Sequence, residues 1–99
     1  MTNSTNQTTT FLVLHGGTPP INKDFYVRIK RHVLDRLPTL RSGVPSELKQ
    51  ICSPEFWGTL TEGEHRTAGI CVANMVAHSE IPLITAPHKH EYPKKYRRA

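Results

Sequence analysis

The most chemically distinctive part of this 99-residue chain is its basic C-terminal segment. Residues 86–99 contain five cations against one carboxylate, with two tyrosines among them: Lys89, Tyr92, Lys94, Lys95, Tyr96, Arg97 and Arg98. Lysine and arginine neutralise phosphates, and each such contact steepens the salt dependence of nucleic-acid binding by about 0.9 log units. The segment therefore predicts a contact with a phosphate backbone. The alternative is a solvated terminus that keeps the protein soluble.

A second group of polar residues lies on a predicted helix that runs from Glu62 to Ser79. Thr61 and Glu64 have the spacing of a capping box, in which each side chain accepts a hydrogen bond from the other residue's backbone N–H. The helix is therefore expected to begin at Glu62. Its apolar residues recur every three or four positions and predict a buried face: Ala68, Cys71, Val72, Met75 and Val76.

The opposite face of this helix has few hydrogen-bond donors. Arg66 and Asn74 suit the edges of guanine and adenine, and either His65 or Thr67 could reach a phosphate. Glu62 and Glu64 would repel phosphates. The remainder is a smooth strip of small or apolar residues that suits packing against a protein or a second copy: Gly69, Ile70, Ala73 and Ala77.

Three further helices are expected upstream. Asn22 can cap a helix over residues 23–37, whose apolar stripe comprises Phe25, Tyr26, Ile29, Val33 and Leu37. Ser46 is predicted to cap a short helix that continues through Cys52. Ser53 is predicted to cap another, with Pro54 at its first position, where proline is favoured.

Strands are predicted at both ends of the chain. Residues 11–14 are apolar and precede a run of glycine and proline that would end a strand. Near the C-terminus, residues 82–86 and 94–98 read as two strands joined by a loop over residues 87–93. Alternation along them places Leu83 and Tyr96 toward the body and Lys95 and Arg97 outward.

From about residue 23 to residue 98, this order of short helix, turn, longer helix and β-hairpin resembles a winged-helix domain of the kind found in small phage or mobile-element proteins. The resemblance implies an α+β fold with three or four helices and a small antiparallel sheet, to which residues 11–14 would add the third strand. In that family the longest helix enters the major groove and the hairpin touches the DNA backbone.

The expected function is therefore DNA binding by a small regulator or accessory factor. Helix 62–79 would dock on double-stranded DNA and the basic hairpin, residues 87–98, would contact phosphates. The residues predicted to touch nucleic acid are His65, Arg66, Asn74, Lys89, Lys94, Lys95, Arg97 and Arg98. The alternative is a protein-interaction module, such as an inhibitor, an adaptor or a homodimer, that uses the same helix and basic segment on an acidic protein surface.

Other functional classes find little support in the sequence. There is no phosphate-binding loop and no nucleophile–base arrangement, so an enzyme is not expected, nor is a cofactor. Cys71, His78, His88 and His90 are ligand types for a metal, but they lack the paired spacing of a zinc site. A buried cysteine and exposed histidines are the preferred interpretation.

The length of the chain and the composition of its first ten residues limit the number of domains. Residues 1–10 are polar and uncharged after Met1 and are expected to form a disordered lead. Residues 11–99 are then enough for a single domain. No basic and apolar leader is present, and the longest apolar run, residues 11–14, is far too short to cross a membrane. A cytoplasmic protein with reduced thiols is therefore expected.

Overall fold

A computed structural model describes residues 11–12, 20–85 and 94–99. In chain order, these residues form β1 (Phe11–Leu12), β2 (Ile21–Asn22), α1 (Lys23–Arg36), a 3₁₀ helix (Leu37–Thr39), β3 (Ser46–Glu47), α2 (Leu48–Ile51), α3 (Pro54–Gly58), α4 (Glu62–Ala77), β4 (Leu83–Thr85) and β5 (Lys95–Arg98). The predicted lead at residues 1–10 and the predicted hairpin loop at residues 87–93 lie outside the described residues.

The fold is α+β, as the sequence predicted. Within the described residues, four α-helices accompany a small antiparallel sheet whose strand order is β3-β5-β4. The predicted C-terminal hairpin is confirmed, because β4 and β5 pair antiparallel with Leu83 opposite Arg98. Leu83 and Tyr96 are 2% and 3% exposed, so the alternation that placed both toward the body is also confirmed.

The third strand of this sheet was predicted wrongly. Residues 11–14 were expected to pair with the hairpin, but β1 pairs with β2, where Phe11 lies opposite Asn22. The third strand is β3, which pairs with β5 and places Ser46 opposite Tyr96. Ser46 therefore does not cap a helix. Helix α2 begins at Leu48, one residue later than a cap at Ser46 would require, and Glu47 is its N-cap. The Glu47 N–H donates to Gln50 Oε1 at 2.8 Å.

Helix α1 begins where its cap requires and carries the predicted apolar stripe. The Asn22 side-chain oxygen accepts a hydrogen bond from the Phe25 N–H at 3.1 Å. The stripe residues within the helix are all buried: Phe25, Tyr26, Ile29 and Val33. The helix ends at Arg36 rather than Leu37. Pro38 has no N–H to continue the α-helix, and the chain tightens into the 3₁₀ helix.

Local caps also fix α3 and the start of α4. Ser53 Oγ accepts from the Phe56 N–H at 3.2 Å, with Pro54 at the first helical position. The predicted capping box is present: Thr61 Oγ1 accepts from the Glu64 N–H at 3.1 Å, and Glu64 Oε1 accepts from the Thr61 N–H at 2.9 Å.

Helix α4 ends at Ala77, two residues earlier than predicted. Ser79 has φ 56°, in the left-handed region, so the helix cannot continue through it. The Ser79 N–H donates to the Val76 carbonyl and the Glu80 N–H to the Met75 carbonyl, at 3.1 and 2.8 Å. This pair of bonds is a Schellman motif, which usually has glycine at the left-handed position.

We expect Ser79→Gly to stabilise the protein by about 0.5–1 kcal/mol, because glycine adopts a positive φ without the steric cost of a Cβ. Urea denaturation followed by circular dichroism measures the change. Ser79→Ala is the control, since it keeps the Cβ and removes only the hydroxyl. A glycine variant no more stable than the alanine variant would contradict the strain argument.

The core lies between α1, α4 and the inner face of the sheet. Its fully buried side chains come mainly from the two long helices: Ile29, Val33, Ile51, Cys71, Val72 and Met75. The predicted buried face of α4 is confirmed at Ala68, Cys71, Val72 and Met75, and Val76 is half-buried against them. Because α4 is anchored on this side, its opposite side is the one left for a partner.

Candidate nucleic-acid interface

A groove of about 500 Å³ lies between α4 and the inner face of β5. Most of its lining is apolar or small: Leu48, Trp57, Gly69, Ile70, Ala73 and Tyr96. Three exposed cations from three parts of the chain also line it, namely Lys49, Arg66 and Lys94. We call this feature the α4 groove. It combines an apolar interior with an excess of positive charge, since Glu47 is its one lining carboxylate.

A larger depression of about 960 Å³ adjoins the α4 groove, next to β2 and the start of α1, and shares Arg66 and Ile70 with it. Its charged lining residues are balanced, with two carboxylates and two cations: Asp24, Glu64, Arg28 and Arg66. It therefore has no charge preference for an anionic partner. The smaller α4 groove is the better candidate site because of its charge.

His65 is held against the α4 groove by α3. Its ring stacks on the Trp57 indole with a centroid distance of 4.1 Å and an interplanar angle of 4°. His65 Nε2 lies 2.9 Å from the Trp57 carbonyl oxygen, which can only accept a hydrogen bond. Nε2 therefore carries the proton in this contact. The imidazole positions Trp57 in the groove wall.

Asn74 is engaged within the fold rather than presented to solvent. Its amide Nδ2 donates to the Tyr26 hydroxyl at 2.9 Å, and that hydroxyl donates to Glu80 Oε1 at 2.8 Å. Lys30 Nζ completes the network, 3.3 Å from the same carboxylate oxygen. Burial raises the pKa of Tyr26 to about 12, so the phenol stays protonated and keeps donating. A base edge would have to displace this network to reach Asn74.

The cations of β5 divide between the two faces of the sheet. Lys94 lies on the groove side with Tyr96, whereas Lys95 and Arg97 alternate to the outer side. Both outer side chains are half-buried. Arg98 is exposed, and its Nη1 donates to the Leu40 carbonyl at 3.1 Å.

A polar link between α1 and α3 supports the wall of the groove. His32 Nε2 accepts a hydrogen bond from the Ser53 N–H at 3.1 Å, and the His32 ring stacks on Phe56 at 3.9 Å. Burial, with a contribution from nearby Arg36, lowers the pKa of His32 below its ordinary 6.5. The imidazole is therefore neutral near pH 7, as its acceptor role requires.

We expect His32→Phe to destabilise the protein by about 1 kcal/mol at pH 7.5, because the ring stack survives while the Ser53 N–H loses its acceptor. The folded-state pKa is depressed, so the contribution of His32 is complete above pH 6.5 and is lost as pH falls below that value. The difference between the two proteins should therefore shrink from pH 7.5 to pH 5.5. Urea denaturation at both pH values measures it, and a constant difference would contradict the assignment.

The chain matches no known family, no curated protein and no solved structure. The candidate site therefore depends on geometry alone.

Two of the other sequence predictions concern metals and membranes. Cys71 and Cys52 are free and buried in the core, and burial raises the pKa of each thiol to about 11. Across residues 11–12, 20–85 and 94–99, no group of three or more His, Cys, Asp or Glu side chains could hold a metal. His88 and His90 lie outside these ranges.

Among the residues that the structure describes, no helix is both long and apolar enough to cross a membrane.

The structure thus brings together only some of the residues predicted to touch nucleic acid. His65, Arg66 and Lys94 line one groove, Lys95 and Arg97 lie on the far side of β5, and Lys89 is outside the described residues. The sequence reasoning missed Lys49. Its signal was weak, because α2 is a single turn whose orientation depends on the burial of Leu48 and Ile51 in the core.

Proposed function

We propose that this protein binds double-stranded DNA through α4 and the two cations that flank it, Lys49 and Lys94. The observation that carries the proposal is the convergence of Lys49, Arg66 and Lys94, from α2, α4 and the start of β5, along one side of the longest helix. Three cations on one surface attract a phosphate backbone, and their positions on three separate segments would fix its direction along α4.

The chain order supports the same proposal. Helix α1 is followed by β3, then by two short helices, the long α4 and the β4–β5 hairpin, and β5 lies between β3 and β4. This order resembles that of winged-helix domains, in which the long helix meets the major groove and the hairpin meets the backbone. A role as a small regulator or accessory factor of a phage or mobile element belongs to the same proposal.

The two carboxylates at the start of α4 limit where the DNA can lie. Glu64 is committed to the capping box, where its Oε1 accepts from the Thr61 N–H. Glu62 is exposed on the first turn and would repel a phosphate placed there. The phosphate backbone is therefore expected to pass beyond the first turn of α4, near Arg66, which is the exposed cation of the second turn.

Fluorescence anisotropy with a labelled duplex of mixed sequence tests the proposal across a salt series. Three phosphate contacts, one each from Lys49, Arg66 and Lys94, predict a slope of log K against log salt of about −3, at 0.9 per contact. A matched single strand of the same length shows whether the duplex is preferred. Absence of duplex binding at low salt, where counterion release favours it most, would end the proposal.

A further inference from the structure

The apolar interior of the α4 groove has no role in a contact made through phosphates. Leu48 and Tyr96 are 8% and 3% exposed, and both still line the groove. Trp57, Ile70 and Ala73 are half-buried around them. Phosphates and sugars gain little from such a surface, whereas an apolar side chain that enters it loses its contact with water.

We propose that the α4 groove is a docking site for a short acidic segment of a partner protein that inserts one large apolar side chain. The volume of about 500 Å³ is ample for a leucine or phenylalanine side chain together with its adjoining backbone. The occupant is a protein segment because the interior is apolar, and it is acidic because of the charges around that interior.

The charge argument comes from the exposed lining residues. Lys49, Arg66 and Lys94 are all exposed, and the groove has three cations against one carboxylate, Glu47. Glu47 lies opposite Lys95 in the β3–β5 ladder, so a cation neighbours it in the sheet. Carboxylates on the incoming segment would pair with the three exposed cations. Such charge pairs contribute more to the orientation of the segment and to the choice of partner than to the affinity.

Small residues on α4 make this approach feasible. Gly69 and Ala73 lie one turn apart on the groove side of the helix, so a backbone can come close to α4 there. A Cβ built at Gly69 meets nothing within 4 Å, which shows that the space beside it is open. No atom of the described fold occupies that space.

Docking of such a segment would use the cations on which the proposed DNA contact depends. Lys49, Arg66 and Lys94 cannot pair with carboxylates and phosphates at the same time. An acidic partner would therefore displace DNA by occupying the same cations. The apolar pocket distinguishes the two ligands, because only the protein segment fills it.

Trp57 provides an intrinsic probe, since it is the only tryptophan of the chain and lines the groove. Tryptophan-free, terminally blocked octapeptides would carry one leucine or phenylalanine among four aspartates or glutamates. We expect the acidic peptides to change Trp57 emission saturably below about 1 mM. Matched peptides with asparagine or glutamine in place of the acids should bind at least about fivefold more weakly.

Two variants separate this proposal from DNA binding. Ala73→Leu fills the groove without changing its charge, and should weaken peptide binding by about tenfold or more. It should weaken DNA binding by a clearly smaller factor, because cations and not the apolar interior bind the phosphates. Lys49→Gln with Lys94→Gln should weaken the binding of both the acidic peptide and duplex DNA. Lys23→Gln with Arg31→Gln removes the same charge from exposed positions on α1 and should affect the peptide by less than about twofold.

Gly69→Ala is the second groove variant and guards against misfolding of Ala73→Leu. It adds one methyl group to the open space and removes a helix glycine, and it should weaken peptide binding by about threefold. Circular dichroism confirms that each variant is folded before it is scored.

Several outcomes would overturn the proposal. One is that no acidic peptide changes the emission, and another is that neutral analogues bind equally well. Peptide binding that survives in both folded groove variants would place the site elsewhere. A Trp57 signal that depends on protein concentration alone would assign the groove to a second copy, and a DNA-induced signal lost in Ala73→Leu would assign it to nucleic acid.

Discussion

Replacing both Lys49 and Lys94 with glutamine is expected to weaken binding to duplex DNA about 10- to 60-fold at 0.1 M salt. Each removed phosphate contact also lowers the steepness of the salt dependence by about 0.9, so the slope should flatten by nearly two units. The loss should be similar for duplexes of different sequence, because phosphate contacts carry no direct sequence information. Anisotropy titrations at several salt concentrations measure both quantities.

Glutamine is preferred to glutamate because of a neighbouring carboxylate. Glu47 lines the same groove as Lys49 and Lys94, and a glutamate at either position would place like charges in that groove. A loss of affinity could then reflect a distorted groove. Lys23→Gln with Arg31→Gln is the matched control, since it removes the same charge from α1. Equal losses of DNA affinity in the two double variants would show that only net charge matters and would contradict a specific contact by the groove cations.

Tyr26→Phe is expected to lower the free energy of unfolding by about 1–2 kcal/mol, because a neutral hydrogen bond and a partly exposed one to a carboxylate are both lost. The Tyr26 hydroxyl donates to Glu80 and accepts from Asn74, so its removal deprives both groups of a partner. Tyr26 is 6% exposed, so water does not easily reach the Asn74 amide beneath it, whereas the exposed Glu80 carboxylate can bind water instead. Urea denaturation monitored by circular dichroism measures the change.

A double-mutant cycle with Asn74→Ala assigns the contribution of the amide. If Asn74 acts mainly through Tyr26, its substitution should cost much less in the Tyr26→Phe background than in the wild type. The same variants should leave DNA affinity nearly unchanged, because the amide points into the fold. A large loss of sequence preference in a stably folded Asn74→Ala protein would instead return Asn74 to the role of a base reader.

The helices that the sequence predicted well are those fixed by local interactions. The caps at Asn22, Ser53 and Thr61 each act within three residues of the chain, so their pattern can be read without knowledge of the fold. The buried face of α4 follows from spacing in the same way. The C-terminal end of α4 was harder to predict from the sequence, because the left-handed conformation of Ser79 is unusual for a residue other than glycine or asparagine.

The third strand could not be predicted because its partner is remote. β3 contains only Ser46 and Glu47, with no apolar alternation, and it is a strand because β5 lies beside it. The environment of Asn74 could not be predicted for the same reason. The polar side chain of Asn74 matched a base reader in the sequence, but Tyr26, 48 positions away, occupies its amide. Lys49 lies in the groove because Leu48 and Ile51 pack α2 against the core.

The central position of β5 constrains how the domain forms during synthesis. β5 is flanked by β3 and β4, and its Tyr96 pairs with both Ser46 and Thr85. A nascent chain that has not yet emerged as far as β5 leaves both neighbouring strands without a ladder. The pairing of β3 with β5 joins residues far apart in the chain, Ser46 and Tyr96, and is therefore entropically slow. It cannot start until β5 leaves the ribosome. The helices are therefore expected to assemble first, with the sheet closing as the final step.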